Sequence, residues 1–503
     1  MVVRRGILLP SLLVMASVLG WQQSQAADDL TLADAIRIKD RAAALALVKA
    51  GADVNAMEAD ATTPLMWAAH HGDGELVKRL LKAGADAKRV NDYGVTAMSE
   101  AAAIGNTEVI SALLKAGADV ESRNPEGQTA LMAVARTGNV DAAKLLVKAG
   151  ADVNATEGWG GQSALMWAAA QQQPAMVAYL IKAGADVNAR GKVYQWQRKV
   201  TAEPRPKDMN KGGFTPLLYA AREGCTECAR ALVAGGADMN ATDPDRVTPL
   251  VLALLNLHFD FAAYLIEAGA DVNKWDLYGR TPVYAAVDLN TLPVGGRTDV
   301  PSQDRTTAVD VASMLLAAGA NPNIQLKLRP PYRNVPFDRG GDQVLSTGAT
   351  PLLRAAKASD DAMIEVLLAH GALVDLPNAE GVTPLMVAAG LEHNFNPTRG
   401  RYKTDEQGVA TMQLLLSAGA AIDRADKRGR TALHGAAKKG WTNTVRFLVE
   451  HGADPLSPDA SGLSAMDYAK GNYKPAFLEP PPQPHVETVA VLQQHLDAAG
   501  SGA

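Results

Sequence analysis

The sequence predicts an all-α stack of about twelve small helix-turn-helix units. Three observations predict it: a Gly-Ala-Asp segment that returns at fixed spacing, a Thr-Pro-Leu segment that returns in step with it, and a composition rich in small apolar residues. Of 503 residues, 47% are hydrophobic but only 5% aromatic, so the core has to be built from Ala, Leu and Val in thin layers. A chain of this length would ordinarily divide into several domains. The fixed period argues instead for one repeated unit.

The glycine of Gly51-Ala52-Asp53-Val54-Asn55 recurs at 84, 117, 150, 184, 236, 269, 319, 371, 419 and 452. Uninterrupted units are 33 residues long, with one of 34, and four units carry about 15 to 19 extra residues. Thr63-Pro64-Leu65-Met66-Trp67-Ala68-Ala69 shows how a unit begins. Thr63 is placed to cap a helix, and Pro64 suits the first turn because its missing N–H would have no partner there. Leu65, Ala68 and Ala69 follow at helical spacing, and Gly72 ends the helix. A second helix is predicted from about Glu75 to Lys82, its Leu76, Val77, Leu80 and Leu81 turned inward, with Gly84 supplying the positive φ of a C-terminal cap. Such a unit buries its apolar face only by stacking on its neighbours.

Together these segments are similar to the ankyrin repeat family, whose unit pairs two antiparallel helices with a projecting β-hairpin. Thr-Pro-Leu or a close variant starts near 63, 96, 129, 163, 215, 248, 281, 350, 383, 431 and 464, so the resemblance covers roughly Leu30 to Ala499. Only Thr431-Ala432-Leu433-His434 keeps the family's histidine; Met66, Met132, Met166, Leu218 or Tyr284 replaces it elsewhere. The fold implied is an ankyrin-repeat solenoid with short β-hairpins and long loop insertions, occupying residues 27–503. The function implied is protein binding without catalysis.

Two insertions fall in the hairpin region, 191–213 and 325–348, and both are basic. The first carries Tyr194, Trp196 and Arg198; the second carries Tyr332 and Arg333. Aromatic and Arg side chains together are typical of interface anchors. Three more insertions, 289–306, 391–408 and 471–485, separate the two helices of a unit. Alternation of the two kinds would wall both edges of one groove, and each insertion is expected to interrupt nearest-neighbour stacking. In the resembling family the first helices line the concave face. Carried over by position, that face presents Arg222, Asp288, Arg354 and Lys357. Arg354 is the most unusual of these, because the equivalent positions hold Trp67, Trp167 and Tyr219. Partner contact is therefore expected at Tyr194, Trp196, Arg198, Arg222, Asp288, Tyr332, Arg333, Arg354 and Lys357.

Chemistry is harder to find. The cysteines are Cys225 and Cys228, in Gly224-Cys225-Thr226-Glu227-Cys228-Ala229. Ala229 stands where haem attachment needs His, and zinc would need a second pair of ligands. A local disulfide across one helical turn, a redox-active pair and two free thiols stay open, and an oxidising compartment favours the first. Adjacent residues His70 and His71 point about 100° apart on a helix, which disfavours a shared metal ion. No phosphate loop, nucleophile elbow or zinc-protease helix is present in the sequence. No metal site, catalytic residue or cofactor is expected. The competing readings are an enzyme whose site lies in the insertions and uses Asp288, His393 or Arg354, and recognition of an acidic small molecule or glycan by the Arg- and aromatic-rich insertions.

The formal charge of -5 does not suit a nucleic-acid binder. At the beginning, Arg4 and Arg5 precede an apolar run from Ile7 to Leu19, then small residues at Ser24 and Ala26, as in a secretory signal peptide spanning 1–26. That run holds 13 residues where a spanning helix needs about 20. The mature chain is thus expected to be a periplasmic or secreted monomer without a transmembrane segment, holding a protein partner.

Overall fold

The computed structural model describes residues 30–198, 207–290, 302–328, 344–345, 347–392, 403–475 and 481–501, apart from the side chains of 195–198, 207–211 and 499–501. The expected signal segment, 1–26, lies outside them. Among the described residues there are 24 helices, in successive pairs of a first and a second helix, and one two-stranded ribbon. The expected all-α repeat architecture is what the chain adopts. Two compact units contain it: Met1–Val134 with Asp141–Ala151, and Ala135–Val140 with Asp152–Ala503.

In the first unit the six helices between Leu32 and Lys115 each start at a side-chain cap. Thr63 has extended ψ, its hydroxyl accepts from the Met66 N–H, and Pro64 opens the helix Pro64–His70. The second helix, Gly74–Lys82, is capped by the Asp73 carboxylate accepting from Leu76 N–H at 3.0 Å. Replacing such a cap by Ala costs about 1 kcal/mol. Leu65, Leu76, Val77, Leu80, Met98, Ile110 and Leu113 are all no more than 2% exposed. Gly84 adopts φ 95° with open space around its α-carbon, so the backbone angle, not crowding, calls for glycine there. The expected hairpins are reduced to isolated bridges, Val90 with Thr96 and Arg123 with Thr129.

A side-chain ladder joins successive repeats. Asn55 donates to the Gly84 carbonyl at 3.0 Å and accepts from Asp86 N–H at 2.8 Å. The same pair of bonds recurs in the second unit at Asn154 with Gly184 and Asp186, and at Asn188 with Gly236 and Asp238. Asn273 with Gly319 and Asn321, and Asn323 with Gly371 and Leu373, continue it. Three of these rungs span an insertion. The expectation that insertions interrupt stacking is corrected by this geometry: extra residues leave the frame at the hairpin or between helices, and the rung closes beneath them.

In the second unit both hairpin insertions have the same base. Gly191 N–H donates to Phe214 O at 3.1 Å and Gly213 N–H to Lys192 O at 3.0 Å; likewise Leu326 N–H donates to Ala349 O at 3.0 Å and Gly348 N–H to Leu326 O at 2.7 Å. Above the first base, β1 (Val193–Arg198) pairs antiparallel with β2 (Lys207–Gly212), Tyr194 opposite Lys211. The described helices narrow the first two inter-helix insertions. The helix Pro282–Asn290 runs past residue 289, and the helix Asp405–Ser417 begins before 408, because Thr404 and Gln407 form a capping box. The end of the first such insertion is tied back to the preceding repeat: Ser302 donates to Leu257 O at 2.8 Å and the Thr306 hydroxyl to Asp260 at 2.6 Å.

Candidate functional site

Each first helix has two positions, four and seven residues after its capping Thr or Ser, that a spacing of three places on one face. The seventh of one repeat meets the fourth of the next. In the first unit this pair is His70 and Glu100, with Nδ1 and Oε2 2.7 Å apart and the imidazole 52% exposed. In the second unit Arg136 lies over the Trp167 ring, 5.1 Å from its centroid. Further along it is Asp288 and Arg354, and here the environment changes. The Arg354 Nε donates to Asp288 Oδ1 at 2.6 Å, and Arg354 is 0% exposed.

A buried charged centre surrounds this pair. Lys357 is 9% exposed and Asp360 4%. Asn290 donates to the Asp360 carboxylate at 2.5 Å. Lys403 is also buried, and its Nζ donates to the Val387 carbonyl and, at 2.9 Å, to the Ala388 carbonyl. Burial, reinforced by repulsion from Lys357 and opposed by Asp361, holds the Lys403 amine well below the ordinary lysine range. A low-pKa lysine is a candidate nucleophile wherever it is open to a substrate. Lys403 is instead committed to the last carbonyls of the helix Pro384–Ala388 and lies 5.5 Å from the Trp441 ring centroid, which makes it a cap.

The sequence-predicted residues therefore separate. Asp288, Arg354 and Lys357 come together, but the expected exposure of Arg354 and Lys357 is corrected: charges on a first helix are covered here where the same register is open at His70. Arg222 is exposed, pairs with Glu223 at 2.7 Å, and lies 5.1 Å over the Tyr219 ring. Tyr194 is 36% exposed at the start of β1. The side chains of Trp196 and Arg198, and the whole of Tyr332, Arg333 and His393, lie outside the described residues. Lys327, at the foot of the second insertion, places its ammonium 3.3 Å from the Trp275 centroid, and Arg246 lies 4.2 Å from that ring.

Sequence reasoning missed Trp159, 60% exposed with its ring edge-on to Tyr194. The available signal was the single 34-residue spacing, Gly150 to Gly184. Cys225 and Cys228 have their sulfurs at bonding distance, 2.01 Å. Cys225 occupies the cap of the helix Thr226–Ala234, where earlier second helices have Asp40, Asp73 and Asn106, and its sulfur accepts from the Cys228 N–H at 3.2 Å. Among the described residues no group of three or more His, Cys, Asp or Glu is arranged to hold a metal ion, and no helix is long and apolar enough to cross a membrane.

The profile for three-copy ankyrin repeats matches residues 32–124, 105–191, 217–326 and 405–477, and the single ankyrin repeat profile matches 347–379. Human ankyrin repeat and SOCS box protein 16 is 31% identical over 255 residues, covering 50% of this chain and 47% of that protein. The NF-kappa-B p105 subunit of Gallus gallus is 34% identical over 236 residues, 41% of this chain and 20% of that one. A putative palmitoyltransferase of Danio rerio, ZDHHC13, is 26% identical over 300 residues, 57% of this chain and 37% of that one. The chain thus spans less than half the length of these curated relatives. The human ASB11 ankyrin repeat domain superposes with a TM-score of 0.39 at 24% identity, covering 56% of this chain and 98% of that one. The profile matches together take in more than half of the sequence, and on them the chain belongs to the ankyrin repeat family.

Proposed function

We propose that this chain is a non-catalytic, monomeric protein-binding scaffold of the cell envelope, exported by its first 26 residues and holding its partner on the open first-helix face and the inserted loops. The family's repeats generally mediate protein–protein interaction, and the relatives share the repeats without sharing one activity. One observation carries the reading: the asparagine rung closes across the 191–213 insertion, so a basic, aromatic-bearing ribbon is displayed from a frame whose rungs form without it. Tyr194, Trp196, Arg198, Arg222, Tyr332 and Arg333 are the proposed contacts. Asp288, Arg354 and Lys357 are proposed to support that surface from beneath. In an oxidising compartment the Cys225–Cys228 bond would persist.

The test is co-purification from the envelope fraction of the source cells, using the full chain and a variant lacking Gly191–Gly213. The scaffold reading expects the variant to lose its partner while its unfolding midpoint stays within experimental scatter. Equal capture by both proteins would overturn it.

A further inference from the structure

Residues 157–161 read Glu-Gly-Trp-Gly-Gly, within the one unit that is 34 residues long. Other hairpin tips are held by a short Asn or Asp. Asn91 accepts from the N–H groups of Tyr93 and Val95, and Asn378 from those of Glu380 and Val382. Glu157 has one more methylene and is 4% exposed. Its carboxylate accepts three backbone N–H groups: Trp159 at 2.5 Å, Gly160 at 2.7 Å and Gln162 at 2.9 Å. The longer arm thus matches a loop with one more residue. From outside, Lys192 N–H donates to the Gly160 carbonyl at 2.7 Å, and the Lys192 ammonium bonds the Gly158 carbonyl. A buried carboxylate and the base of the ribbon clamp the tip between them.

What this clamp presents is apolar. Trp159 is 60% exposed, its ring centroid 6.4 Å from that of Tyr194 at 82° between planes, and Val193 beside it is 52% exposed. The backbone of the tip is held by these bonds, so binding here would order little further chain, which suits an interface anchor. Among the described residues the β1–β2 sheet has no third strand, so its outer edges offer backbone N–H and C=O groups to an extended chain. The 191–213 segment carries Lys192, Arg198, Lys199, Arg205, Lys207 and Lys211 against Glu203 and Asp208. Like charge there repels the same ribbon of a second copy and attracts an acidic strand.

We infer that Trp159, Tyr194 and the ribbon edge form a docking site for an extended acidic segment of another protein, which adds as a strand and lays an apolar side chain against the Trp159–Tyr194 pair. This rests on the protein-binding reading above and names the chemistry of the partner. The test measures fluorescence anisotropy of a fluorescein-labelled peptide of alternating glutamate and valine with the full chain. A lysine–valine peptide and polygalacturonate serve as alternative ligands. Saturable binding of the glutamate–valine peptide alone is expected, weakened about ten-fold or more by Trp159→Ser, with the unfolding midpoint unchanged because the ring is exposed. Trp159→Phe should retain most of the affinity. Equal binding of the two peptides, equal binding by native and Trp159→Ser chains, or uptake of polygalacturonate without peptide would each overturn the inference. If deleting Gly191–Gly213 leaves partner capture intact, the scaffold reading fails; if deletion abolishes capture while Trp159→Ser changes nothing, only the present inference fails.

Discussion

One contact slot is used in two opposite ways. In the uninterrupted repeats of the first unit, the seventh-position residue His70 meets Glu100 of the next repeat in open solvent, 52% and 25% exposed. In the second unit, Asp288 meets Arg354 in the same slot at 2.6 Å, with side chains 14% and 1% exposed. The repeat frame is common to both, so the helices alone do not decide whether this face is a surface or an interior. The helix that carries Asp288 is followed by one long insertion, the helix that carries Arg354 is preceded by another, and Lys403 belongs to a third. Around Arg354 the described residues Asn290, Asp360 and Lys403 make this register a charged interior, whereas at His70 the same register stays at the surface.

The largest effect should come from removing one member of the covered pair. Taking away a single partner of a buried ion pair leaves the other charge uncompensated and costs about 3–5 kcal/mol. Arg354→Ala is therefore expected to lower the urea midpoint of the second unit by an amount corresponding to about that loss, whereas Glu100→Ala in the first unit should cost no more than about 0.5–1 kcal/mol. Because a repeat array need not unfold as one cooperative block, hydrogen exchange resolved along the chain is the proper measurement, with the loss expected around the helices Pro351–Ala358 and Asp361–Ala369. Arg354→Met combined with Asp288→Leu should recover much of the loss. Equal costs at Arg354 and Glu100 would mean that the slot is the same in both regions after all.

That contrast also marks how far the sequence could be read. The repeat frame was legible because each of its parts has a local physical signature: an extended capping Thr before a proline, a glycine at positive φ, and apolar residues at helical spacing. The unusual position of Arg354 was legible too, since its equivalents are Trp67, Trp167 and Tyr219. Its burial was not, because what determines burial comes from far away in the chain: Asp288 lies 66 residues before it, and Lys403 follows 49 residues after it. Thr404-Asp405-Glu406-Gln407 did carry a readable capping box, and it would have set the start of that helix correctly. Trp159 was signalled only by one surplus residue in a period. Its meaning depends on three hydrogen bonds to Glu157 that no spacing reveals.

A middle-sized effect tests whether insertions weaken the frame. Asn154 closes its rung over a repeat without a long insertion with bonds of 3.1 and 2.8 Å, while Asn188 closes its rung across the 191–213 insertion with bonds of 3.2 and 2.8 Å. Each side chain makes two bonds of ordinary strength, so Ala at either position should cost about 1–2 kcal/mol. Equality is the expected result, measured as the change in unfolding free energy of the two single variants. A distinctly smaller cost for Asn188→Ala would show that the inserted region is already loosened and that the ladder there carries little.

The last effect has the opposite sign and depends on pH. The hairpin position filled by Asn91 in the first unit is filled by Asp243 in the second, and each accepts the N–H of the residue four further on. Asp243 is desolvated and lies near Asp245 and Asp276, so its pKa is raised from 3.8 to about 6, with burial as the main cause. Below 3.8 the carboxyl is protonated in folded and unfolded chains alike, and its contribution to stability is fully present. As pH rises through about 6 the folded protein must ionise a group that resists ionisation, and that contribution is lost. Asparagine keeps the accepting oxygen and cannot ionise. Asp243→Asn should therefore stabilise the second unit by about 1–2 kcal/mol at neutral pH and by almost nothing near pH 4, as read from paired urea titrations. A gain that is the same at both pH values would point to packing of the amide, and no gain at neutral pH would mean that solvent reaches the Asp243 carboxyl well enough to offset its burial.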